Sequence, residues 1–123
     1  MKYLKTYEKL KQKPVIIYYG NGQICAVKYY LNGKFHREDG PAHQYWYENG
    51  QKESEVYYIN DKIHREDGSA IKTWNQNGKK AYEMYYLNAI YYTREEWLEK
   101  LKEIGSIHYQ DELLKYEAEK YNL

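Results

Sequence analysis

Two short runs, His36-Arg37-Glu38-Asp39 and His64-Arg65-Glu66-Asp67, place an imidazole beside a guanidinium and two carboxylates. An imidazole oriented by a carboxylate is the raw material of a general acid–base pair, and the same residue types supply metal ligands. Two features favour a plainer role. The group occurs twice at one spacing, so a catalytic reading needs two equivalent sites a fixed distance apart. Each run also continues into Gly40 or Gly68, and Asp-Gly bends a chain while the arginine pairs with a carboxylate and the histidine covers an aromatic ring. A structural turn is therefore the first expectation for His36, Arg37, Asp39 and Gly40 and for His64, Arg65, Asp67 and Gly68. A contact surface and a catalytic or metal site stand behind it. No catalytic residue, metal ligand or cofactor is assigned, since the chain has no Gly-rich phosphate loop, no Cys-x-x-Cys and no His-Glu-x-x-His.

The elements that hold these turns come from an internal repeat. Tyr29-Tyr30-Leu31-Asn32-Gly33-Lys34-Phe35-His36-Arg37-Glu38-Asp39-Gly40-Pro41-Ala42 returns 28 residues later as Tyr57-Tyr58-Ile59-Asn60-Asp61-Lys62-Ile63-His64-Arg65-Glu66-Asp67-Gly68-Ser69-Ala70. Tyr18, Trp46 and Trp74 correspond at the same offset, as do Asn21-Gly22, Asn49-Gly50 and Asn77-Gly78, and Tyr85-Tyr86-Leu87-Asn88 opens a third copy. Asn-Gly between β-prone runs is a strong hairpin signal, because both residues tolerate positive φ. Asp61 stands where the first copy has Gly33, so that turn is expected to take another type. The third copy breaks at Thr93-Arg94-Glu95-Glu96-Trp97, where Thr93 and Glu96 have capping-box spacing. A helix follows, with Trp97, Leu98, Leu101 and Ile104 as its apolar stripe and Gly105 as its stop. A second helix is expected from about Gln110 to Tyr121, packing through Leu113, Leu114 and Tyr121, and residues 2–11 could form a short N-terminal helix.

The expected fold is thus mainly β with a C-terminal α part: a meander of about six antiparallel strands from three 28-residue hairpin repeats, capped by two short helices. Residues 1–13 form a basic N-terminal segment, 14–92 the three repeats and 93–123 the helical cap.

Composition narrows the function classes. With 123 residues the chain is a single small domain with a thin core. Its 18 tyrosines and 3 tryptophans supply much of the apolar area, and such rings serve half-exposed sheets and binding faces. Cys25, the single cysteine, forms no internal disulfide and reads as a small buried residue in a strand. The first residues lack the apolar run and cleavage site of a signal peptide, and no window nears the roughly 18 apolar residues of a membrane span, so a cytoplasmic location is expected. The net charge of +1 splits into +4 over residues 1–13 (five Lys, one Glu), zero over 14–92 (nine basic, nine acidic) and −3 over 93–123 (five basic, eight acidic). A neutral repeat body counts against a nucleic-acid binder, which usually carries a basic face.

The repeat motif Tyr-Tyr-x-Asn-Gly-Lys-x-His-Arg-Glu-Asp-Gly-Pro-Ala, alternating with an aromatic–Asn-Gly hairpin, resembles the MORN-repeat variants of bacteria, phages and giant viruses. The resemblance covers roughly residues 14–100. It implies a sheet of β-hairpins, a non-catalytic role and frequent encoding by phages or mobile elements. Through family members linked to toxin–antitoxin systems, it also implies inhibition of a partner protein.

Candidate protein-binding residues are therefore the aromatics Tyr18, Tyr30, Tyr45, Trp46, Tyr47, Tyr58, Trp74 and Tyr86, with core packing as their plainer role, and Glu95, Glu99 and Glu103 on the acidic cap. The expected function is a non-enzymatic protein-binding module, an anti-CRISPR or antitoxin-like inhibitor that blocks a bacterial enzyme sterically in the host cytoplasm, as a monomer or homodimer. The alternative is a nucleic-acid binder using stacked tyrosines and the lysine arm Lys2, Lys5, Lys9, Lys11 and Lys13.

Overall fold

The computed structural model of the chain describes residues 12–122, so the expected N-terminal helix over residues 2–11 lies outside the described residues. Among the described residues, eleven strands precede two helices: β1 (Val15–Tyr18), β2 (Ile24–Lys28), β3 (Tyr30–Leu31), β4 (Lys34–Phe35), β5 (His43–Trp46), β6 (Lys52–Val56), β7 (Tyr58–Ile59), β8 (Lys62–Ile63), β9 (Ile71–Trp74), β10 (Lys80–Leu87), β11 (Ile90–Tyr92), α1 (Arg94–Glu103) and α2 (Tyr109–Tyr121). The fold is mainly β with C-terminal α. Its main sheet is an antiparallel meander in the order β1-β2-β5-β6-β9-β10-β11, seven strands rather than about six, and the hairpins β3-β4 and β7-β8 stand apart from it.

Each copy contributes one long hairpin and one short one. The long hairpins turn at the Asn-Gly pairs, where Gly22, Gly50 and Gly78 have φ of 87°, 87° and 85°. In the first two, the asparagine carboxamide also reaches the next copy: Asn49 Nδ2 donates to the Gln76 carbonyl at 2.9 Å, and Asn21 Nδ2 lies 3.5 Å from that of Glu48. The short hairpins turn at Asn32-Gly33 and Asn60-Asp61, and Asn88-Ala89 repeats the conformation between β10 and β11. All six of these residues have positive φ, the signature of a two-residue turn matched to strand twist. Asp61 therefore keeps the turn that Gly33 makes. Its left-handed backbone is accompanied by a contact glycine lacks, because its carboxylate accepts the Phe35 amide N–H of the preceding copy at 2.7 Å.

Register runs unbroken across the sheet. One row reads Val15, Lys28, His43, Val56, Ile71, Met84; the next reads Ile16, Val27, Gln44, Glu55, Lys72, Glu83; a third reads Ile17, Ala26, Tyr45, Ser54, Thr73, Tyr82. Side chains alternate along a strand, so the first and third rows share one face and the middle row lies on the other. Pairing shifts at Ile17/Tyr18, Tyr45/Trp46 and Lys80/Tyr82, a bulge beside each Asn-Gly turn.

The repeat body has a thin core. Its buried apolar residues are Ala26, Val27, Ala42 and Ala70, while Cys25 is only half-buried. The larger apolar cluster lies under the cap, where Leu87, Trp97, Leu98 and Leu101 pack with Tyr85, Tyr92, Tyr109 and Tyr116. Thr93 and Glu96 close a reciprocal capping box on α1. Three expected packing residues are exposed instead: Ile104, Leu114 and Tyr121. Ile104 follows the last turn of α1, where the chain leaves the sheet. The stripe of α2 that faces inward is Tyr109, Glu112, Leu113 and Tyr116, at i, i+3, i+4 and i+7, which turns Leu114 and Tyr121 outward. No helix among the described residues is long and apolar enough to cross a membrane.

Candidate functional site

The two His-Arg-Glu-Asp-Gly runs fold into the same turn twice, and each side chain in them has a defined partner. The Arg37 guanidinium lies 4.0 Å from the centre of the Tyr29 ring, donates to Asp39 at 3.0 Å and donates to the Pro41 carbonyl at 3.2 Å. Arg65 repeats this over Tyr57 at 4.0 Å, with Asp67 at 2.9 Å and the Ser69 carbonyl at 3.0 Å. A planar fork stacked on a ring and pinned at its edge is an arrangement lysine cannot copy. Gly40 and Gly68 complete it, since a Cβ at either would sit 2.9 Å from the guanidinium carbon.

The histidines join copies. His36 Nδ1 accepts the backbone N–H of Asn60 at 3.1 Å, and His64 Nδ1 accepts that of Asn88 at 3.0 Å. In the neutral ring the proton therefore resides on Nε2, which faces Glu66 at 3.1 Å in the second turn and Glu38 at 3.5 Å in the first. The lone pair a general base uses is thus committed to a peptide amide of the next copy. Burial opposes ionisation of Glu66, but hydrogen bonds from Ser106 and His64 outweigh it and hold the carboxyl below its usual range. Burial likewise opposes ionisation of Asp67, and Arg65 overrides it in the same direction.

Both turns open onto one groove of about 460 Å³. Residues 37–40 form one wall and 64–67 the other, with Tyr57 and Ile59 from the sheet side and Ile107 and His108 from the link between α1 and α2. With histidines neutral, two arginines against Glu38, Asp39, Glu66 and Asp67 give a lining charge of 2 − 4 = −2. Glu38 and Asp39 are open to solvent, their side chains 84% and 87% exposed, and Ile107 is 89% exposed at the rim. The repeat announces the turns, whereas Ile107 and His108 lie outside it and carry no motif that would have pointed to them.

The aromatic candidates do not form one surface. Phe35 stacks on Tyr30 at 4.8 Å, on His43 at 5.1 Å and on Tyr58 at 5.1 Å, and His43 packs against Tyr45 at 4.3 Å, on the face of the first register row. Lys28 lies over Tyr45 there. Trp46 lies on the opposite face with Lys52 over its ring at 5.0 Å, beside the ion pairs Lys52–Glu55, Lys80–Glu83 and the longer Lys72–Glu83. Tyr47 donates its hydroxyl to the Trp74 carbonyl, as Tyr19 does to that of Trp46 one copy earlier. Trp74 is half-buried, and Tyr86 meets Tyr91 edge-on. Tyr18 and Tyr30 are the exposed members of the set.

On the cap, Glu95 accepts the Tyr116 hydroxyl, Glu103 pairs with Lys100 at 3.0 Å, and Glu99 is exposed. The lysines of the N-terminal arm lie outside the described residues, except Lys13, which is exposed. Among the described residues, no group of three or more His, Cys, Asp or Glu side chains is arranged to hold a metal ion. No protein-family profile, no curated protein and no solved structure matches this chain.

Proposed function

We propose that this chain is a non-catalytic protein-binding repeat module that receives a basic segment of a partner protein in the groove between its two turns. The observation that carries the reading is the groove itself: a concave, net-negative lining with open carboxylates and an almost fully exposed isoleucine at its rim. Such a site suits an arginine- or lysine-bearing segment, whose aliphatic stems lie on Ile59 and Ile107 while the charged heads meet Glu38 and Asp39. The internal hydrogen bonds of both turns favour a rigid wall over a reactive centre, because their acid–base groups already have partners.

Taken with the resemblance to MORN-repeat variants, the partner is a bacterial enzyme. The chain would then be a phage- or mobile-element-encoded inhibitor of the anti-CRISPR or antitoxin-like kind, acting in the host cytoplasm by steric block. The acidic surface of the cap supports this, since enzymes that handle nucleic acid present basic clefts.

The test is affinity capture from bacterial host lysate, with and without nuclease, read by mass spectrometry. One stoichiometric protein that survives nuclease is the expected result. Recovery of nuclease-sensitive material alone would overturn the reading in favour of nucleic-acid binding.

A further inference from the structure

The repeat leaves its two ends unequal to its middle. In β5 and β9 every residue is half-buried, yet in β1, their counterpart in the first copy, all four residues are exposed. In β6 every residue is half-buried, yet in β10 the residues Lys80–Glu83, its counterpart in the third copy, are exposed. The cause is a missing neighbour at each end among the described residues. β5 and β9 have strands on both sides, whereas among the described residues β1 pairs only with β2. The Tyr85–Leu87 half of β10 is covered by β11, but among the described residues its Lys80–Met84 half pairs only with β9. Among the described residues, both edges therefore carry unused backbone donors and acceptors next to exposed apolar side chains, Val15, Ile16, Ile17 and Tyr18 at one end and Tyr82, 69% exposed, at the other.

These edges are also complementary by construction. Strands of the β1 class meet strands of the β10 class twice inside the molecule, as β2 with β5 and β6 with β9. The β6–β9 junction pairs Ser54 with Thr73, Glu55 with Lys72 and Val56 with Ile71. Carrying that junction one repeat beyond the third copy gives the pairs Tyr82 with Ile17, Glu83 with Ile16 and Met84 with Val15. The β2–β5 junction gives the same register, since Ala26 meets Tyr45, the counterparts of Tyr82 and Ile17. Met84 would meet Val15 and Tyr82 would meet Ile17 on one face, so the most exposed aromatic of the sheet falls against an exposed isoleucine.

We propose that the chain self-associates head to tail, with the Lys80–Met84 edge of one copy pairing antiparallel with Val15–Tyr18 of the next. The contact is heterologous, so it extends as an open series instead of closing at a dimer. It is short, which makes association weak and dependent on concentration. It is independent of the groove.

Sedimentation velocity over a dilution series of the full chain tests this, with one variant blocking each edge, Ile17→Lys and Tyr82→Lys. Wild type is expected to pass from monomer to dimer to larger species as concentration rises. Each variant alone is expected to stay monomeric, and an equimolar mixture is expected to form dimers and nothing larger, because one intact edge of each kind remains. Circular dichroism and melting confirm that each variant folds, and Ile16→Lys, which projects from the other face of β1, replaces Ile17→Lys if that chain does not. A wild type that is monomeric throughout, a Tyr82→Lys chain that still associates (a symmetric β1–β1 pair), or a mixture that stays monomeric would each overturn the proposal.

Discussion

A guanidinium stacked on tyrosine and pinned by a carboxylate and a carbonyl is the repeated fastening of this molecule, and glycine is what leaves room for it. Gly40 and Gly68 differ in one respect: Gly68 has a φ of 150°, whereas Gly40 lies outside the left-handed region. Alanine at either position must displace the arginine, but at Gly68 the backbone is strained as well. Gly68→Ala is predicted to destabilise by about 2–3 kcal/mol and Gly40→Ala by about 1–2 kcal/mol, as read by urea denaturation.

His43 gives a second prediction at this scale. Its ring packs between Phe35 and Tyr45, and Nε2 is buried without a hydrogen-bond partner. Burial, and then the nearby Lys28 charge, lower its pKa from the ordinary 6.5. A depressed folded pKa contributes stability that is present above pH 6.5 and is lost as pH falls through the folded value. Stability is therefore predicted to decline below pH 6.5, and to decline again as Asp67 and Glu66, also depressed, protonate below their ordinary 3.8 and 4.5. His43→Phe is expected to remove the upper limb of that profile, leave the lower one, and raise stability at pH 5.5 by about 1 kcal/mol.

At the scale of elements, the turns and the cap carry the stability differences. Ala89 occupies a left-handed position with a φ of 68°, where the first copy has Gly33. Ala89→Gly is predicted to raise stability by about 1 kcal/mol in the same denaturation assay. Trp97 is fully buried, lies 4.8 Å from Tyr85, and donates its indole N–H to the Arg65 carbonyl. It thus packs on the third tyrosine of the series, over which Arg94 also lies at 5.8 Å, while Arg37 and Arg65 cover the first two at 4.0 Å. Trp97→Ala should cost about 3–5 kcal/mol and lower the melting temperature accordingly.

Much of this scale was legible in the sequence. The 28-residue offset gave the hairpins, and the spacing of Thr93 and Glu96 placed the start of α1. Legibility failed where spatial neighbours decide the outcome. Nothing in the string Asn60-Asp61 says that the aspartate will meet Phe35 of the previous copy. Nothing in the last 14 residues says that Glu112 lies inward and Leu114 outward. The turns of the candidate site were readable from the repeat, but the groove they share with Ile107 and His108 arises only once the cap folds back beside them.

For the molecule as a whole, charge and curvature outweigh aromatic content. The tyrosines that suggested a binding face are largely occupied with one another, with lysines, and with carbonyls of the next copy. Among the surfaces left open is the acidic groove proposed as the binding site, and replacing its solvent-exposed Glu38 and its exposed isoleucine leaves the arginine–tyrosine fastenings of the fold intact. The decisive measurement is capture from host lysate with the double variant Glu38→Lys/Ile107→Ser beside wild type, at matched melting temperature. The account predicts that the nuclease-resistant partner held by wild type is lost from the variant. Undiminished capture by the variant would contradict the groove as the binding site.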